Sequence, residues 1–301
     1  MFFLLLMKNI NRKLKLILPS LFFSILIIFF TKSCVGIKPA LQTEQIPKNF
    51  VPAKHLVFIG LDGWGGVYVP KANMPTVKRM MSKGAWSLDA QSVMPSSSWP
   101  NWSSLFCGAP PEQRSRENFP SIFTLLENSG QTAVLFYEWD EMEKLCSDSA
   151  AEKQEILTNV ESAKKIAAYI KEQKPFFTAV AFDEPDQAGH SNNWGSKAYY
   201  AKLKELDILI AVIEQAVKEA GIYDDTVFVL SADHGGSGFG HGLDNPNHRK
   251  IPIVFYGKGI KKGFRILSPI DIYDITPTMA ALLGLDIPPE WTGRVLYEIF
   301  K

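Results

Sequence analysis

Short apolar runs alternate with longer amphipathic segments from residue 55 to the end of the chain. Runs that are apolar throughout and too short for helices predict buried strands. They cover residues 55–61, 132–136, 176–182, 226–230 and 251–256. Between the runs, helical periodicity predicts helices over 74–83, 120–128, 152–173, 196–220 and 275–283, most of which stop at a glycine. Strands that alternate with helices indicate an α/β protein, a three-layer sandwich around a central, mostly parallel sheet.

The first 54 residues follow a different pattern. Basic residues between positions 8 and 15 precede an apolar run over 16–30, and Cys34 follows shortly. This layout predicts a signal peptide over 1–33, a polar tether over 34–54 and a single folded domain over 55–301. The residues before Cys34 resemble a bacterial lipoprotein processing site, which favours a lipidated Cys34 and an exported protein anchored to a membrane. An uncleaved N-terminal anchor and simple secretion are the alternatives.

Composition narrows the functional classes. The 301 residues are 46% hydrophobic, so a sizeable core is available, and the formal net charge is +1. Such a balance gives no electrostatic reason to expect binding to a nucleic-acid duplex. Cys107 and Cys146 remain after Cys34, and in an exported protein they either pair or stay as separate buried thiols.

Acidic residues and histidines follow the ends of the predicted strands. Because the carboxyl ends of parallel strands share one edge of a sheet, these residues can converge there. Each alone has an ordinary explanation as a turn or loop residue, but Asp and His together suit zinc-like metals. The candidates are Asp62, Asp186, His190, Asp233, His234 and His241.

Ser98 lies just before Pro100, a residue that is at home in the first turn of a helix. The ordinary interpretation is a helix cap. The functional interpretation is a nucleophile, because helix N-terminal amides attract phosphate oxygens and a neighbouring metal would lower the pKa of the hydroxyl.

The order of these motifs resembles the nucleotide pyrophosphatase/phosphodiesterase branch of the alkaline phosphatase superfamily. The resemblance rests on Asp62-Gly63, Ser98-Trp99-Pro100-Asn101, Pro185-Asp186 with Gly189-His190, Asp233-His234-Gly235 and Gly240-His241-Gly242. It implies that Asp62, Asp233 and His234 bind one zinc, which also contacts Ser98, and that Asp186, His190 and His241 bind a second. It further implies that Ser98 is the nucleophile, where the branch usually has threonine, and that Asn101 donates a hydrogen bond to a phosphoryl oxygen.

The implied function is an exported hydrolase of phosphate esters, of the phosphodiesterase or nucleotide pyrophosphatase type, that acts through a phosphoseryl intermediate. It would use two zinc ions, with other divalent metals as the alternative, on a small substrate for which a nucleotide is one candidate. A phosphomonoesterase, a sulfatase, a phosphate mutase and a non-catalytic binding protein on the same fold are the alternatives. The sulfatase is disfavoured because no arginine follows Ser98-x-Pro-x. His248 and Arg249 are predicted to lie in a solvated loop. Four aromatic residues are candidates either for stacking on a base or for packing: Trp64, Trp99, Trp102 and Tyr137.

Overall fold

An eight-stranded mixed sheet forms the centre of the protein in the computed structural model, which describes residues 45–114, 119–146 and 149–301. The predicted signal peptide, residues 34–44 of the tether and the proposed lipidation site Cys34 lie outside the described residues. The strands are β1 (His55–Leu61), β2 (Ala85–Gln91), β3 (Ala133–Tyr137), β4 (Glu152–Glu155), β5 (Phe177–Phe182), β6 (Thr226–Ser231), β7 (Lys250–Gly257) and β8 (Phe264–Arg265).

The strand order is β4-β3-β5-β1-β6-β7-β2-β8, and β7 alone of these strands runs against its neighbours. Every residue of β5 and β6 is buried, which is the pattern of parallel strands covered on both faces. The prediction of an α/β fold with a mostly parallel central sheet is therefore confirmed.

Helices cover the sheet in two groups. The first comprises α1 (Pro75–Lys83), α4 (Val160–Gln173), α5 (Asp186–Asn192) and α6 (Lys197–Glu219), which pack on one another around α6. The second comprises α2 (Ser98–Cys107), α3 (Ile122–Asn128) and α8 (Ile275–Leu282), in which α2 is central. A short α7 (Pro246–Arg249) lies just before β7. Within the described residues, no helix is long and apolar enough to cross a membrane.

The register of the sheet brings three functional loops together. Strand β1 lies between β5 and β6, with Leu61 opposite Phe182 and Gly60 opposite Ser231. The backbone N–H of Asp62 continues this pairing by donating to the Phe182 carbonyl at 2.9 Å. The loops that follow β1, β5 and β6 therefore leave the sheet side by side, which is where ligands bind in parallel α/β sheets.

Two segments differ from the sequence prediction. The predicted helix over 152–173 begins only at Val160, and the preceding Glu152–Glu155 is the edge strand β4, paired in parallel with β3. The charged residues of this segment would fit a helix surface equally well. Only the pairing with β3 determines that the segment is a strand. Strand β2, which the pattern did not predict, pairs with β7.

The N-terminal edge of the packed domain lies slightly before residue 55. The Phe50 ring packs edge-on against Phe300 at 4.8 Å between centroids, and Ala53 is buried with its N–H bonded to the Leu282 carbonyl. The last residues of the predicted tether therefore belong to the fold.

Candidate active site

Asp62, Asp233 and His234 form a fully buried cluster at the ends of β1 and β6. His234 Nε2 lies 3.5 Å from Asp62 Oδ1 and 3.3 Å from Asp233 Oδ2. The other oxygen of each carboxylate is held in place. Asp62 Oδ2 accepts from Trp102 Nε1 at 2.9 Å, and Asp233 Oδ1 accepts from the N–H groups of Gly63 and His234. One oxygen of each acid is therefore left facing the imidazole.

The turn at Gly63 allows this close approach. Its φ is +70°, a backbone conformation that favours glycine, and a Cβ here would lie 2.8 Å from the Cα and Oδ1 of Asp186. Only glycine therefore lets the loop after β1 pass directly against the second cluster.

Asp186, His190 and His241 form the second cluster, on α5 and the loop that precedes α7. Asp186 Oδ2 lies 3.3 Å from His190 Nε2, and Asp186 Oδ1 lies 3.9 Å from His241 Nε2. The His241 ring stacks on the His234 ring at 3.9 Å between centroids, which joins the two clusters. The six acids and imidazoles named from the sequence thus converge at one edge of the sheet.

All three imidazoles are oriented in the same way. His234 Nδ1 lies 2.8 Å from the Gly235 carbonyl oxygen, His190 Nδ1 2.9 Å from that of Phe239, and His241 Nδ1 3.2 Å from that of Ser96. A carbonyl oxygen can only accept, so each Nδ1 carries the hydrogen and each Nε2 presents a lone pair to the clusters. Metal-binding histidines are commonly fixed in this manner.

The electrostatics of the clusters favour a bound cation. Burial raises the pKa of the Asp62 and Asp233 carboxyls well above their usual range, and repulsion among the acids adds to it. Burial and the nearby Asp62 raise the pKa of Asp186 to about 9. Burial also lowers the pKa of His234 well below its usual value, so this imidazole is neutral and its contacts with the acids are not ion pairs.

When the acids are ionised, their lone pairs face the lone pairs of the imidazoles across the clusters. Among the described residues, Asp186 Oδ1 and Asp233 Oδ2 are buried oxygens without a hydrogen-bond partner. A divalent cation would satisfy both, because it replaces the missing donor and lowers the pKa of the acids that bind it. Two groups of side chains have ligand atoms close enough together to hold one cation each. The first is Asp62 with Asp233 and His234, and the second is Asp186 with His234 and His241. Nitrogen and carboxylate oxygen donors fit zinc.

Ser98 is the first residue of α2 and lies at the rim of the first cluster. Its Oγ is 3.2 Å from His234 Nε2 and donates to Asp62 Oδ1 at 3.4 Å. The preceding Ser97 is the N-cap residue, but its side chain makes no capping hydrogen bond. The Ser98 hydroxyl therefore faces the candidate metal-ligand atoms of the first cluster instead of capping the helix.

Asn101 makes its hydrogen bonds within the segment that carries Ser98. Its side chain is completely buried; Oδ1 accepts from the Val93 N–H at 2.7 Å, and Nδ2 donates to the Ser97 carbonyl at 2.9 Å and faces those of Val93 and Pro95. The amide is used up in bracing the loop that carries Ser98. A hydrogen bond from Asn101 to a phosphoryl oxygen stays a prediction, and it would require Nδ2 to leave at least one of these carbonyls.

His248 differs from expectation, since it is buried rather than solvated. Its Nδ1 accepts from the Leu243 N–H at 3.1 Å, so Nε2 carries the hydrogen and donates to Ser237 Oγ at 2.7 Å. Both partners flank His241 in sequence. His248 therefore fixes the loop that presents His241, a role that has no signal in the local sequence.

Two tryptophans brace the site in ways that the sequence did not reveal. Trp102 holds Asp62, and Trp194 donates from Nε1 to the Gly63 carbonyl at 3.0 Å. Trp64 and Trp102 are buried, as is Tyr137, whereas Trp99 is 40% exposed. Of the four aromatic candidates for base stacking, only Trp99 is on the surface. Cys107 and Cys146 are both buried free thiols.

The family profile that matches this chain places it in the alkaline phosphatase superfamily and supports a phosphoryl-transfer enzyme. The sequence profile of the type I phosphodiesterase/nucleotide pyrophosphatase family matches residues 56–114 and 131–248, more than half of the chain. The chain belongs to this family.

Several of the similar proteins are GPI ethanolamine phosphate transferases. GPI ethanolamine phosphate transferase 1 of Emericella nidulans is 25% identical in an alignment 350 positions long, which covers 92% of this chain and 37% of the relative. The protein of that name from Saccharomyces cerevisiae is 32% identical in an alignment 129 positions long, which covers 36% of this chain and 14% of the relative. The match therefore covers between 14% and 37% of the length of these curated transferases.

Solved structures show the same fold. Murine ectonucleotide pyrophosphatase/phosphodiesterase 5, as an inactive form in complex with AMP, has a TM-score of 0.67 and 12% identity over 82% of this chain and 100% of that chain. A 2-O GAG sulfatase has a TM-score of 0.68 and 18% identity over 81% of this chain and 73% of that chain. At these identities the likeness concerns the fold alone.

Proposed function

We propose that this protein is an exported, zinc-dependent phosphodiesterase that acts through a covalent intermediate on Ser98. The observation that carries the proposal is the position of the Ser98 hydroxyl. It lies at the start of a helix and within 3.4 Å of both His234 Nε2 and Asp62 Oδ1, beside acids whose buried oxygens need a cation.

The proposed zinc sites use the residues named from the sequence, with Asp62, Asp233 and His234 at the site that also contacts Ser98. Asp186, His190 and His241 hold the other zinc. Bound zinc would supply positive charge that lowers the pKa of the serine hydroxyl and offsets the charge on the phosphoryl oxygens.

The chain's own residues then carry two displacements. The Ser98 oxygen forms a bond to phosphorus while the ester bond to the leaving alcohol breaks, and the alcohol leaves with a proton. A water molecule next attacks the same phosphorus, the bond to Ser98 breaks, and the serine regains its proton. The backbone N–H groups of Ser98 and Trp99, at the start of α2, would favour the negative charge of the phosphoryl oxygens.

Replacement of Ser98 by alanine tests the proposal, with Ser97→Ala as the matched control. We expect Ser98→Ala to lower the hydrolysis of bis-p-nitrophenyl phosphate by at least about a thousandfold, because it removes the attacking oxygen. Ser97→Ala removes a neighbouring hydroxyl that makes no capping bond and should retain activity. Zinc content, measured by mass spectrometry of the metal, should stay near two ions per chain in both. Normal turnover by Ser98→Ala would refute the nucleophile.

Transfer of the phosphoryl group to an alcohol instead of water is a second candidate. It is favoured by the similarity to GPI ethanolamine phosphate transferases along 92% of the chain. A comparison of product ratios with and without added ethanolamine or glycerol separates the two reactions. A sulfatase is a weaker candidate, because the position of the missing arginine is filled by Trp102, which holds Asp62.

Export and membrane attachment through Cys34 are part of the proposal and rest on the sequence pattern alone. Radiolabelled palmitate should be incorporated into the full-length protein and not into Cys34→Ser. Incorporation into neither would leave the uncleaved anchor or simple secretion, which cell fractionation distinguishes.

A further inference from the structure

Four large apolar side chains are exposed around the candidate active site. Met94 is 41% exposed, Trp99 40%, Phe239 64% and Leu243 62%. We refer to these four residues as the apolar collar. Isolated exposed apolar residues are ordinary, but several of them on the loops that build one site indicate a binding surface.

The backbone ties each member of the collar to the site. Trp99 follows Ser98 directly. The Phe239 carbonyl accepts from His190 Nδ1 at 2.9 Å, and the Leu243 carbonyl accepts from Ser96 Oγ at 2.9 Å.

Ser96 links the remaining member. Its own carbonyl lies 3.2 Å from His241 Nδ1, and Met94 lies two residues before it. The loops that orient the two imidazoles of the second cluster and the nucleophile therefore also display the collar.

Trp99 has a fixed position within the collar. Its ring lies 6.4 Å from that of Trp139 at an interplanar angle of 82°, an edge-to-face contact. One side of Trp99 is thus supported by the protein, while a large part of the ring still faces solvent.

The chemistry of the collar favours a particular kind of substrate. The side chains of Met94, Phe239 and Leu243 carry no strong hydrogen-bonding group, so they cannot read the edge of a nucleobase. They offer dispersion contacts and apolar area, and methionine and leucine adapt to flexible ligands.

We propose that the substrate is an amphiphilic phosphodiester whose aliphatic chain lies on the apolar collar while its phosphate reaches Ser98. This inference rests on the proposed function of the site and specifies its substrate class.

A series of alkyl p-nitrophenyl phosphates tests the inference on the full-length protein. The methyl, butyl and octyl esters share one reacting group and differ only in chain length. We expect kcat/KM to rise at least about tenfold from methyl to octyl below the micellar concentration, because each fully buried CH₂ is worth roughly a fourfold gain. The 5′-p-nitrophenyl phosphate of thymidine serves as the nucleoside arm and should not exceed the octyl ester.

The double variant Phe239→Ser/Leu243→Ser should lose most of the octyl-to-methyl ratio. Leu267→Ser is the matched control, because Leu267 is 81% exposed and lies outside the loops that hold the site. Its ratio should equal that of the unaltered protein. Thermal unfolding of all three proteins shows whether the substitutions preserve the fold.

A binding measurement separates this inference from the proposed function. Ser98→Ala protein is titrated calorimetrically with methyl phosphate esters that carry a second methyl, butyl or octyl group. Tighter binding with chain length that disappears in the collar variant supports the inference even if no ester is hydrolysed. Affinity that does not change with chain length, or a preference for the nucleoside ester, would overturn it. In a separate assay of binding to phosphatidylcholine vesicles, a double variant that loses vesicle binding but keeps the octyl-to-methyl ratio would also overturn it.

Discussion

Replacing Trp102 by phenylalanine should weaken binding of the proposed zinc ions out of proportion to its effect on folding. Trp102 is 1% exposed, and its Nε1 donates to Asp62 Oδ2 at 2.9 Å. Its ring lies so close to Gly60 that a Cβ there would be 2.3 Å from it, and it stacks on Phe106 at 6.1 Å between centroids. Phenylalanine keeps much of this packing and removes the hydrogen-bond donor.

The expected magnitude follows from that bond. A buried hydrogen bond to a charged group contributes about 1.5–3 kcal/mol. The Trp102 donor also lowers the pKa of Asp62 against the effects of burial and of Asp233, which raise it. Without the donor, Asp62 stays protonated to a higher pH and must lose that proton before it can bind a metal. We therefore expect zinc affinity to fall about 10- to 100-fold, as for other residues that orient metal ligands.

Competition with a chromophoric chelator measures the affinity, and chemical denaturation in the presence of excess chelator measures the stability of the metal-free fold. Phe106→Leu is the matched control, since Phe106 is fully buried beside Trp102 and has no polar side-chain atom. It should lower the free energy of unfolding by roughly 1–3 kcal/mol and leave zinc affinity unchanged. Equal zinc affinities for the two variants would refute the positioning role of the Trp102 hydrogen bond.

Two further predictions concern the protonation of one proposed metal ligand, Asp186, and the loop that holds another, His241. Zinc loading at pH 7 should release protons, because the pKa of Asp186 is raised to about 9 in the metal-free protein and a carboxylate that binds a metal has lost its proton. The affinity for zinc should therefore rise with pH up to about 9. Calorimetry in buffers of different ionisation enthalpy counts the protons, and no release would contradict the raised pKa. His248→Ala should lower zinc affinity by freeing the loop that holds His241, whereas His248→Gln, which can replace one of its two hydrogen bonds, should recover part of it; equal losses would argue against this bracing role.

Much of the site could be predicted from the sequence because the physics of a parallel sheet places strand ends together. Asp62, Asp186 and Asp233 each follow a short apolar run, and those runs become β1, β5 and β6, which are neighbours in the sheet. The sequence distances between the acids do not matter once the strands pair. Convergence of the donors needed no knowledge of side-chain packing.

Local sequence could not identify the partners of individual side chains. Asn101 follows Ser98 closely and has the right chemistry for a substrate contact, yet its amide is bonded to the backbone of residues 93–97. The same limit explains β4, whose Glu152–Glu155 is a strand only because it pairs with β3.

The amino-acid sequence by itself determined most of the central strands and the helices between them, and the chemical types gathered at one edge of the sheet, because both depend on patterns within short segments. The tertiary structure decided which of those groups are held, buried or free. Trp102 meets Asp62 and His248 meets the loop of His241 only after folding, and a hydrogen bond depends on distances that segments remote along the chain set jointly.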